Sequence, residues 1–265
     1  MNTLETILHL VAITSLSIVL SLFALLSVRL AGVDIKDIKQ RTSPRVLAIA
    51  MLFNLLFIVS VALIMKYWDH QSISVLGFSI GVKGLLYVIF VLLFSVTFAI
   101  FYVRILNARK IIQIGVLSTK KGISKFKSTT LFGFLVLFVA ALQEEILFRG
   151  YFSYVLLPYG FWYGLFISSM VFTLWHFLTN KAGLFQTADW FMGGIMLFYI
   201  YWVSGSIWIA AMTHFGRNIT NVLVFDISGS NSLVQYEKPI PPSYKSVYTI
   251  LLSILIMLSG YFVFS

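Results

Sequence analysis

The chain has 265 residues, of which 60% are apolar, 17% aromatic and only 11% charged, and its mean hydropathy is +0.96. A soluble domain is about half apolar and a quarter charged, so this composition excludes both a water-soluble globule and a disordered chain. It predicts an all-α polytopic membrane protein, and about 20 residues per span leave room for roughly eight transmembrane helices. Cysteine is absent, which excludes disulfides, thiolate metal sites and cysteine nucleophiles.

Eight apolar runs predict the transmembrane helices in chain order. They cover about 6–28, 46–65, 84–103, 129–157, 161–178, 188–204, 206–226 and 246–265. The stretch 227–245 contains Pro239, Pro241 and Pro242 and predicts an extended loop. The chain is thus divided into spans one to three (1–128), a central group of spans four to seven (129–226), and the loop with the final span (227–265).

The net charge of +10 is concentrated in two loops. Loop one carries five basic residues, Arg29, Lys36, Lys39, Arg41 and Arg45, and loop three, about 104–128, carries seven basic residues and no acidic one. Because short basic loops remain in the cytoplasm, the odd-numbered loops are predicted to be cytoplasmic and both termini to lie outside. Loop three also contains five apolar residues, Ile111, Ile112, Ile114, Val116 and Leu117. It is interpreted either as a segment on the anionic leaflet or as a solvated loop that only sets orientation.

Ionisable side chains inside membrane spans are costly, so each one is a candidate functional residue. Spans two, three and eight contain none, whereas His9 lies near the end of span one and Asp189 at the start of span six. The remainder are concentrated in spans four, five and seven, and they are Glu144, Glu145, Arg149, His176, His214 and Arg217. This clustering predicts a polar site built by those three spans.

Helical spacing separates the two glutamates of span four. Glu145 and Arg149 are four residues apart and are expected to form an ion pair on one face. Glu144 points about 100° away, so it is available to act as a general base toward water. A purely structural ion pair is the alternative interpretation of Glu145 and Arg149.

Spans five and seven each place a histidine one turn from a second residue. Phe172 and His176 share a face of span five, and His214 and Asn218 share a face of span seven. The latter pair has the groups needed to hold a water or to donate hydrogen bonds to an oxyanion. Each histidine taken alone is more simply interpreted as bonding a neighbouring helix. A proton-coupled transporter is a further hypothesis for intramembrane Glu and His, although the chain shows no internal repeat of the kind many transporters have.

Three motifs follow one another in these spans, E-E-x-x-x-R at 144–149, F-x-x-x-H at 172–176 and H-x-x-x-N at 214–218. Together they resemble the CPBP family of intramembrane endopeptidases, also called the CAAX-protease and bacteriocin-processing or Abi family. That family includes the type II CAAX prenyl endopeptidases and the lysostaphin-resistance-like proteins. The resemblance implies an intramembrane protease that hydrolyses a peptide bond of a membrane-associated substrate. A catalytically silent membrane scaffold in bacteriocin immunity or cell-envelope regulation is the alternative.

The resemblance also implies a role for each motif residue. Glu144 corresponds to the glutamate that activates water, and His176 to the second-motif histidine. His214 and Asn218 correspond to the third-motif pair, with Asn218 as an oxyanion donor. Glu145 and Arg149 correspond to positions that support the site.

The same resemblance sets the expected partners and surroundings. The substrate would be a peptide or lipidated peptide within or at the lipid bilayer, with no nucleic acid involved. The chain would be a multi-pass protein of the plasma membrane of a prokaryote. No HExxH motif is present, and two histidines with one or two glutamates do not make a zinc site on spacing alone. We therefore expect no cofactor, with zinc as the alternative if the family's older description as metalloproteases holds.

Overall fold

The computed structural model describes residues 3–33, 43–117, 128–178, 182–225 and 233–265. Its α-helices, in chain order, are α1 (Thr3–Leu30), α2 (Pro44–Tyr67), α3 (Val82–Ala108), α4 (Ser128–Glu145), α5 (Phe152–Leu156), α6 (Phe161–Phe177), α7 (Leu184–Ser204), α8 (Ile207–Leu223) and α9 (Pro242–Phe264). A π-helical turn, Ile146–Tyr151, joins α4 to α5, so these two helices form one continuous rod. Short 3₁₀ turns cover Ile73–Leu76 and Leu157–Tyr159.

The predicted all-α polytopic membrane fold is confirmed, and each of the eight apolar runs is helical over most of the residues that the structure describes. Five helical stretches are long and apolar enough to cross a membrane, and they are Thr3–Leu30, Pro44–Tyr67, Val82–Ala108, Leu131–Tyr159 and Pro242–Phe264. Helix α6 is apolar but has only 17 residues. Eight crossings therefore stay a prediction, as does the placement of both termini outside.

The helices pack into two apolar clusters that share α8. Helices α6 and α9 both pack on α7, α8 packs on α3 and α4, and α2 packs on α4. One cluster lies mainly among α3, α7 and α9, and the other among α1, α2, α6 and the π turn. Because α8 contributes buried side chains to both clusters, such as Ile209 to the first and Ala211 to the second, His214 is held between them.

The described residues include a small two-stranded sheet that the apolar runs did not predict. Strand β1 (Gln113–Leu117) pairs antiparallel with strand β2 (Val234–Lys238). The prediction of an extended loop over 227–245 is therefore wrong for β2 and for the start of α9. Neither interpretation of loop three anticipated β1, while residues 118–127 lie outside the described residues. The pairing places loop three and the connection before α9 at the same end of the bundle, which agrees with the same-side prediction for odd-numbered loops.

A tight contact between two loops fixes α8 at the opposite end of the bundle. The Ile207 N–H donates to the carbonyl oxygen of Gly77 at 2.8 Å. Gly77 has φ +87°, and a Cβ at this position would collide with the carbonyl oxygen of Gly205. Since only glycine meets both conditions without strain, this residue sets where α8 begins, and thereby the height of His214 in the bundle.

Candidate active site

The two adjacent glutamates lie where regular α-helix gives way to the π turn. Helix α4 ends at Glu145, and all six residues of the turn, Ile146–Tyr151, are buried. The Ser168 hydroxyl of α6 donates to the Phe148 carbonyl oxygen at 2.7 Å, which satisfies one backbone acceptor of the turn. The expectation of one uninterrupted α-helix over 129–157 is therefore wrong. Single π turns inside α-helices are frequent at functional sites.

The predicted ion pair of span four is present. Arg149 Nη1 donates to Glu145 Oε1 at 3.0 Å, and both side chains are fully buried. Arg149 Nη2 also donates to the Gly194 carbonyl oxygen of α7 at 3.1 Å. The guanidinium carbon lies 4.3 Å from the ring centroid of Phe172 in α6. Arg149 therefore connects the π turn to both neighbouring helices while it balances the charge of Glu145.

His214 lies between the two glutamates. Its Nδ1 is 2.8 Å from Glu145 Oε1, and its Nε2 is 3.9 Å from Glu144 Oε2. Because a carboxylate oxygen only accepts hydrogen bonds, Nδ1 carries the hydrogen in the contact with Glu145, and Nε2 is directed toward Glu144. The result is a linear series of contacts, Arg149 to Glu145 to His214 to Glu144, in which Arg149 and Glu145 fix the orientation of the imidazole.

Glu144 and Glu145 have different surroundings. The Glu145 side chain is fully buried, whereas that of Glu144 keeps 20% of its surface exposed. Glu144 Oε2 has no hydrogen-bond partner within the described ranges of the chain, apart from the longer approach to His214. Glu144 is thus the carboxylate that can contact a water molecule or a substrate, and Glu145 is the one that supports His214.

His176 reaches the site through Phe172. It lies in the last turn of α6, and its Nδ1 donates to the Phe172 carbonyl oxygen at 2.8 Å. The Phe172 ring contacts both histidines, with centroid distances of 4.6 Å to His176 and 5.8 Å to His214. The Trp190 ring of α7 lies beside His176 in a tilted arrangement, with 5.0 Å between the ring centroids. The second motif therefore contributes an aromatic wall that brings the two imidazoles to the same region.

Asn218 is less closely connected. It is half-buried on α8, one turn beyond His214. The described contacts do not join it to Glu144 or His176. The structure thus brings Glu144, Glu145, Arg149 and His214 into direct contact and His176 next to them through Phe172, while Asn218 shares only a helix face with His214.

Zinc, the alternative cofactor, would need ligands from these residues. No three His, Asp or Glu side chains converge in ligand geometry among the residues that the structure describes. His214 Nδ1 and Glu145 Oε1 are bonded to each other, and the same oxygen also accepts from Arg149. Glu145 Oε1 and His214 Nδ1 are thus engaged in internal contacts, whereas Glu144 Oε2 and Glu145 Oε2 have no hydrogen-bond partner among the described residues.

A second polar cluster joins α1 to the end of the π turn, and His9 is its only member among the residues predicted from the sequence. His9 Nδ1 lies 3.0 Å from Asp69 Oδ1 and 2.8 Å from the Tyr151 hydroxyl. The same hydroxyl donates to Asp69 Oδ2 at 3.2 Å. Burial raises the pKa of Asp69 above its ordinary value, against the opposing effects of His9 and Tyr151. Asp69 was missed because it follows span two, and Tyr151 because a tyrosine in a span gives no charge signal.

Comparison with known proteins adds one finding. Residues 126–220 match the family model described as type II CAAX prenyl endopeptidase Rce1-like. Neither the curated proteins nor the solved structures gave a significant match. The matched segment runs from the start of α4 into α8 and includes all three motifs. This match confirms the resemblance of the chain to the CAAX-protease family that the motifs predicted.

Proposed function

We propose that this protein is an intramembrane endopeptidase in which Glu144 activates the water that hydrolyses a peptide bond. The observation that carries the proposal is the contrast between the two adjacent glutamates. Glu145 is fully buried between Arg149 and His214, whereas Glu144 remains partly exposed and has an oxygen directed toward His214 Nε2. One carboxylate is structural and the other is available for chemistry. The match to a peptidase family over residues 126–220 supports the same conclusion.

The proposed reaction needs only groups of this chain and one water molecule. Glu144 removes a proton from the water as the water oxygen bonds to the scissile carbonyl carbon. The negative charge that develops on the carbonyl oxygen is stabilised by hydrogen-bond donors, for which the Asn218 amide is the candidate. The carbon–nitrogen bond then breaks, and Glu144 returns the proton to the leaving amine.

The remaining residues would position these groups. The hydrogen bond from His214 Nδ1 to Glu145 fixes the imidazole so that Nε2 faces Glu144. Arg149 neutralises Glu145, which would otherwise be an unpaired charge in a dry interior. His176 forms the opposite side of the site with Phe172 and Trp190. Membrane-associated peptides are the substrate class, since the site is surrounded by apolar helices.

The test is direct detection of cleavage. Purified protein in lipid vesicles is incubated with a farnesylated peptide and its unprenylated counterpart, and the products are identified by mass spectrometry. The wild-type protein is expected to produce a defined fragment that the Glu144→Ala variant does not. Absence of any fragment from either peptide, or equal cleavage by the variant, would contradict the proposal.

Metal dependence is a separate test of the mechanism. Because His214 Nδ1 and Glu145 Oε1 are bonded to each other, and no three His, Asp or Glu side chains converge among the described residues, cleavage is expected to survive exhaustive treatment with a chelator. The rate is measured before chelation, after chelation and after addition of stoichiometric zinc. Loss of activity that zinc restores would overturn the glutamate mechanism and make His176 and His214 metal ligands.

A further inference from the structure

A cavity of about 200 Å³ lies among α1, α2 and α4. Six apolar residues and four polar ones line it, and the polar residues are Ser17, Ser21, Asn54 and Gln143. Gln143 directly precedes Glu144 in the chain. None of the four polar residues has a role in the reaction proposed above, so the reason for a polar cavity inside a membrane span has to be sought separately.

The polar side chains of the cavity are not satisfied by the protein itself. Elsewhere on the same two helices, the hydroxyls of Ser27 and Ser60 donate to the carbonyl oxygen one turn earlier, each at 2.8 Å. The four polar side chains of the cavity make no hydrogen bond with any residue that the structure describes. Because hydroxyl and amide groups within a membrane span are costly to leave without a hydrogen bond, this lining suits a polar occupant.

The size and chemistry of the cavity favour water as that occupant. One water molecule takes up about 30 Å³ of the liquid, so the space accommodates several of them. Buried water needs two to four hydrogen-bonding partners, and two hydroxyls and two amides supply both donors and acceptors. A hydrocarbon chain in the same place would leave all four groups unsatisfied. The lining therefore favours water over the acyl tail of a lipid.

The cavity extends from near loop one to the height of Glu144. Its lining on α1 runs from Ser17 to Leu25, which is about 12 Å along the helix. Leu25 lies in the second-last turn of α1, and Ala50 lies in the second turn of α2. These two residues mark the end of the cavity nearest to loop one, on the side that the basic loops predict to be cytoplasmic. Ser17 and Gln143 mark the deep end.

Gln143 connects the deep end of the cavity to the reacting carboxylate. It is buried, and successive side chains on a helix lie about 100° apart at nearly the same height. Glu144 Oε2 has no hydrogen-bond partner among the described residues. A water molecule held by the Gln143 amide is therefore level with a carboxylate that has a free acceptor.

We propose that this cavity holds water inside the membrane span and supplies the hydrolytic water to Glu144, with Gln143 as a positioning residue. The inference rests on the proposed endopeptidase function and adds the route of one reactant to it. Each hydrolysis consumes a water molecule, and a carboxylate enclosed by apolar helices needs a source of it. The cavity lies on the α1 and α2 side of α4, whereas His214 approaches Glu144 from α8. Water can thus reach Glu144 from a side that the other site residues leave open.

Labelling with a water-soluble reagent tests whether the cavity holds water. The chain has no cysteine, so a single introduced thiol reports on its own position. Ser21→Cys places a thiol in the cavity, and Ser15→Cys, on the exposed face of the same helix, is the matched control. In lipid vesicles, a charged methanethiosulfonate reagent is expected to label Ser21→Cys at least about 10-fold faster, because the reactive thiolate forms only in contact with water.

The same comparison is repeated on α2. Asn54→Cys places a thiol in the cavity, and Leu52→Cys places one on the exposed face of the helix. Equal and slow labelling of the cavity and control variants on both helices would show a dry or lipid-filled cavity and overturn the proposal.

Kinetics test whether this water reaches Glu144. Gln143→Met keeps the length of the side chain but removes its amide, so kcat is expected to fall about 2- to 10-fold with KM unchanged, the effect of one hydrogen bond. Asn54→Leu should also lower kcat alone, whereas Ser60→Ala, whose hydroxyl bonds its own helix, should not. Gln143→Asn retains an amide and should restore most of the rate. A Gln143→Asn variant as slow as Gln143→Met, or wild-type kcat in both Gln143→Met and Asn54→Leu, would overturn the proposal.

The labelling result separates this inference from the proposed function. Fast labelling of Ser21→Cys in a protein whose wild type cleaves no peptide would leave the water-filled cavity standing while the peptidase proposal fails. Cleavage by the wild type with a cavity that is not labelled would remove the water route and leave the peptidase. Protection of the Ser21→Cys thiol by the farnesylated peptide, measured with Glu144→Gln added, would make the cavity a peptide site and overturn its role as a water site.

Discussion

The first two helices and the α4–α5 rod have similar apolar composition but different surroundings. In the most apolar windows of α1 and α2, only 17% and 11% of residues are buried inside the protein, against 50% for Leu131–Tyr159. The outer helices therefore expose Leu, Val and Phe side chains over most of their surface, whereas α4 is enclosed by neighbours. Only the enclosed rod carries two carboxylates and an arginine. The comparison shows that hydropathy identifies a span, while enclosure decides whether that span can hold charge.

The polar clusters of the two regions differ in position and in the residues that they contact. Glu145, Arg149 and His214 lie at mid-height, and their charges are balanced by one another and by α7. His9 and Asp69 lie near one end of the bundle, close to the first residues of α1 and the loop after α2. The side chains of both clusters are largely buried, since Glu145 and Arg149 are fully buried and His9 and Asp69 keep only 8% and 2% of their side-chain surface exposed. Only the mid-height cluster contacts Glu144. We therefore expect the first to govern catalysis and the second to govern stability alone.

The largest effect should come from Glu144. Glu144→Gln keeps the shape of the side chain but removes its ability to take a proton from water. We expect cleavage to fall by about 10²–10⁴-fold, with the protein still folded and inserted. The initial rate and the melting temperature are measured together. Glu5→Gln, which alters an exposed carboxylate of α1, is the control and should be silent. Turnover by Glu144→Gln at the wild-type rate would contradict the proposed role of Glu144 as the general base.

Asn218→Ala should have the next largest effect on turnover. Loss of one oxyanion donor typically costs about 10²–10³-fold with the fold retained. Asn218 is half-buried on the face of α8 that carries His214, so its loss opens no large cavity. Single-turnover rates measure the loss of turnover, and thermal melting shows whether the fold is retained. Asn107→Ala, at the exposed end of α3, is the matched control. Normal cleavage by Asn218→Ala would remove Asn218 from the proposed mechanism.

Arg149→Ala should affect stability as well as activity. The substitution leaves Glu145 without its cation and the Gly194 carbonyl without its donor. Removing one partner of a buried ion pair costs roughly 3–5 kcal/mol, so the melting temperature in detergent and the yield should both fall. Arg104→Ala, an exposed arginine of α3, is the control. An Arg149→Ala variant as stable as wild type would show that His214 alone is enough to hold Glu145.

The sequence alone was enough to predict the apolar helices and the residues of the candidate site, because both follow from local rules. Long apolar runs fix the helices, and the i to i+4 spacing predicted the pair Glu145–Arg149. The position of His214 between two glutamates could not be predicted, since it depends on how α8 packs against α4. The π turn could not be predicted either, because Ile146–Tyr151 has the composition of an ordinary helix.

The strands were missed for a different physical reason. Strand β1 is only five residues long and its partner β2 lies more than a hundred residues later in the chain. Pairing at that separation leaves no local pattern in either segment. Prolines near 239–242 predicted irregular backbone, and they mark the end of β2 and the start of α9 instead. Long-range pairing of short segments therefore limits what can be inferred from one sequence.

The smallest effect on stability is expected at Asp69. This residue tests most directly whether the outer polar cluster affects stability alone. Burial raises the pKa of this carboxyl above its ordinary value of 3.8, while His9, the Tyr151 hydroxyl and His70 act in the opposite direction. A raised pKa means that the folded protein favours the protonated form. That contribution to stability is complete below the ordinary pKa and is lost as the pH rises through the pKa of the folded state.

Asp69→Asn mimics the protonated form at every pH. The difference in melting temperature, variant minus wild type, is therefore expected to increase as the pH is raised from about 3.8, the ordinary pKa of the group, toward neutrality. Cleavage at a fixed permissive temperature should be unchanged, because Asp69 contacts none of the groups around Glu144. A difference in melting temperature that is the same at every pH would refute the assignment of a raised pKa. A loss of cleavage comparable to that of Glu144→Gln would show instead that the outer cluster acts on the site through Tyr151 and the π turn, and that the two regions do not divide stability from catalysis.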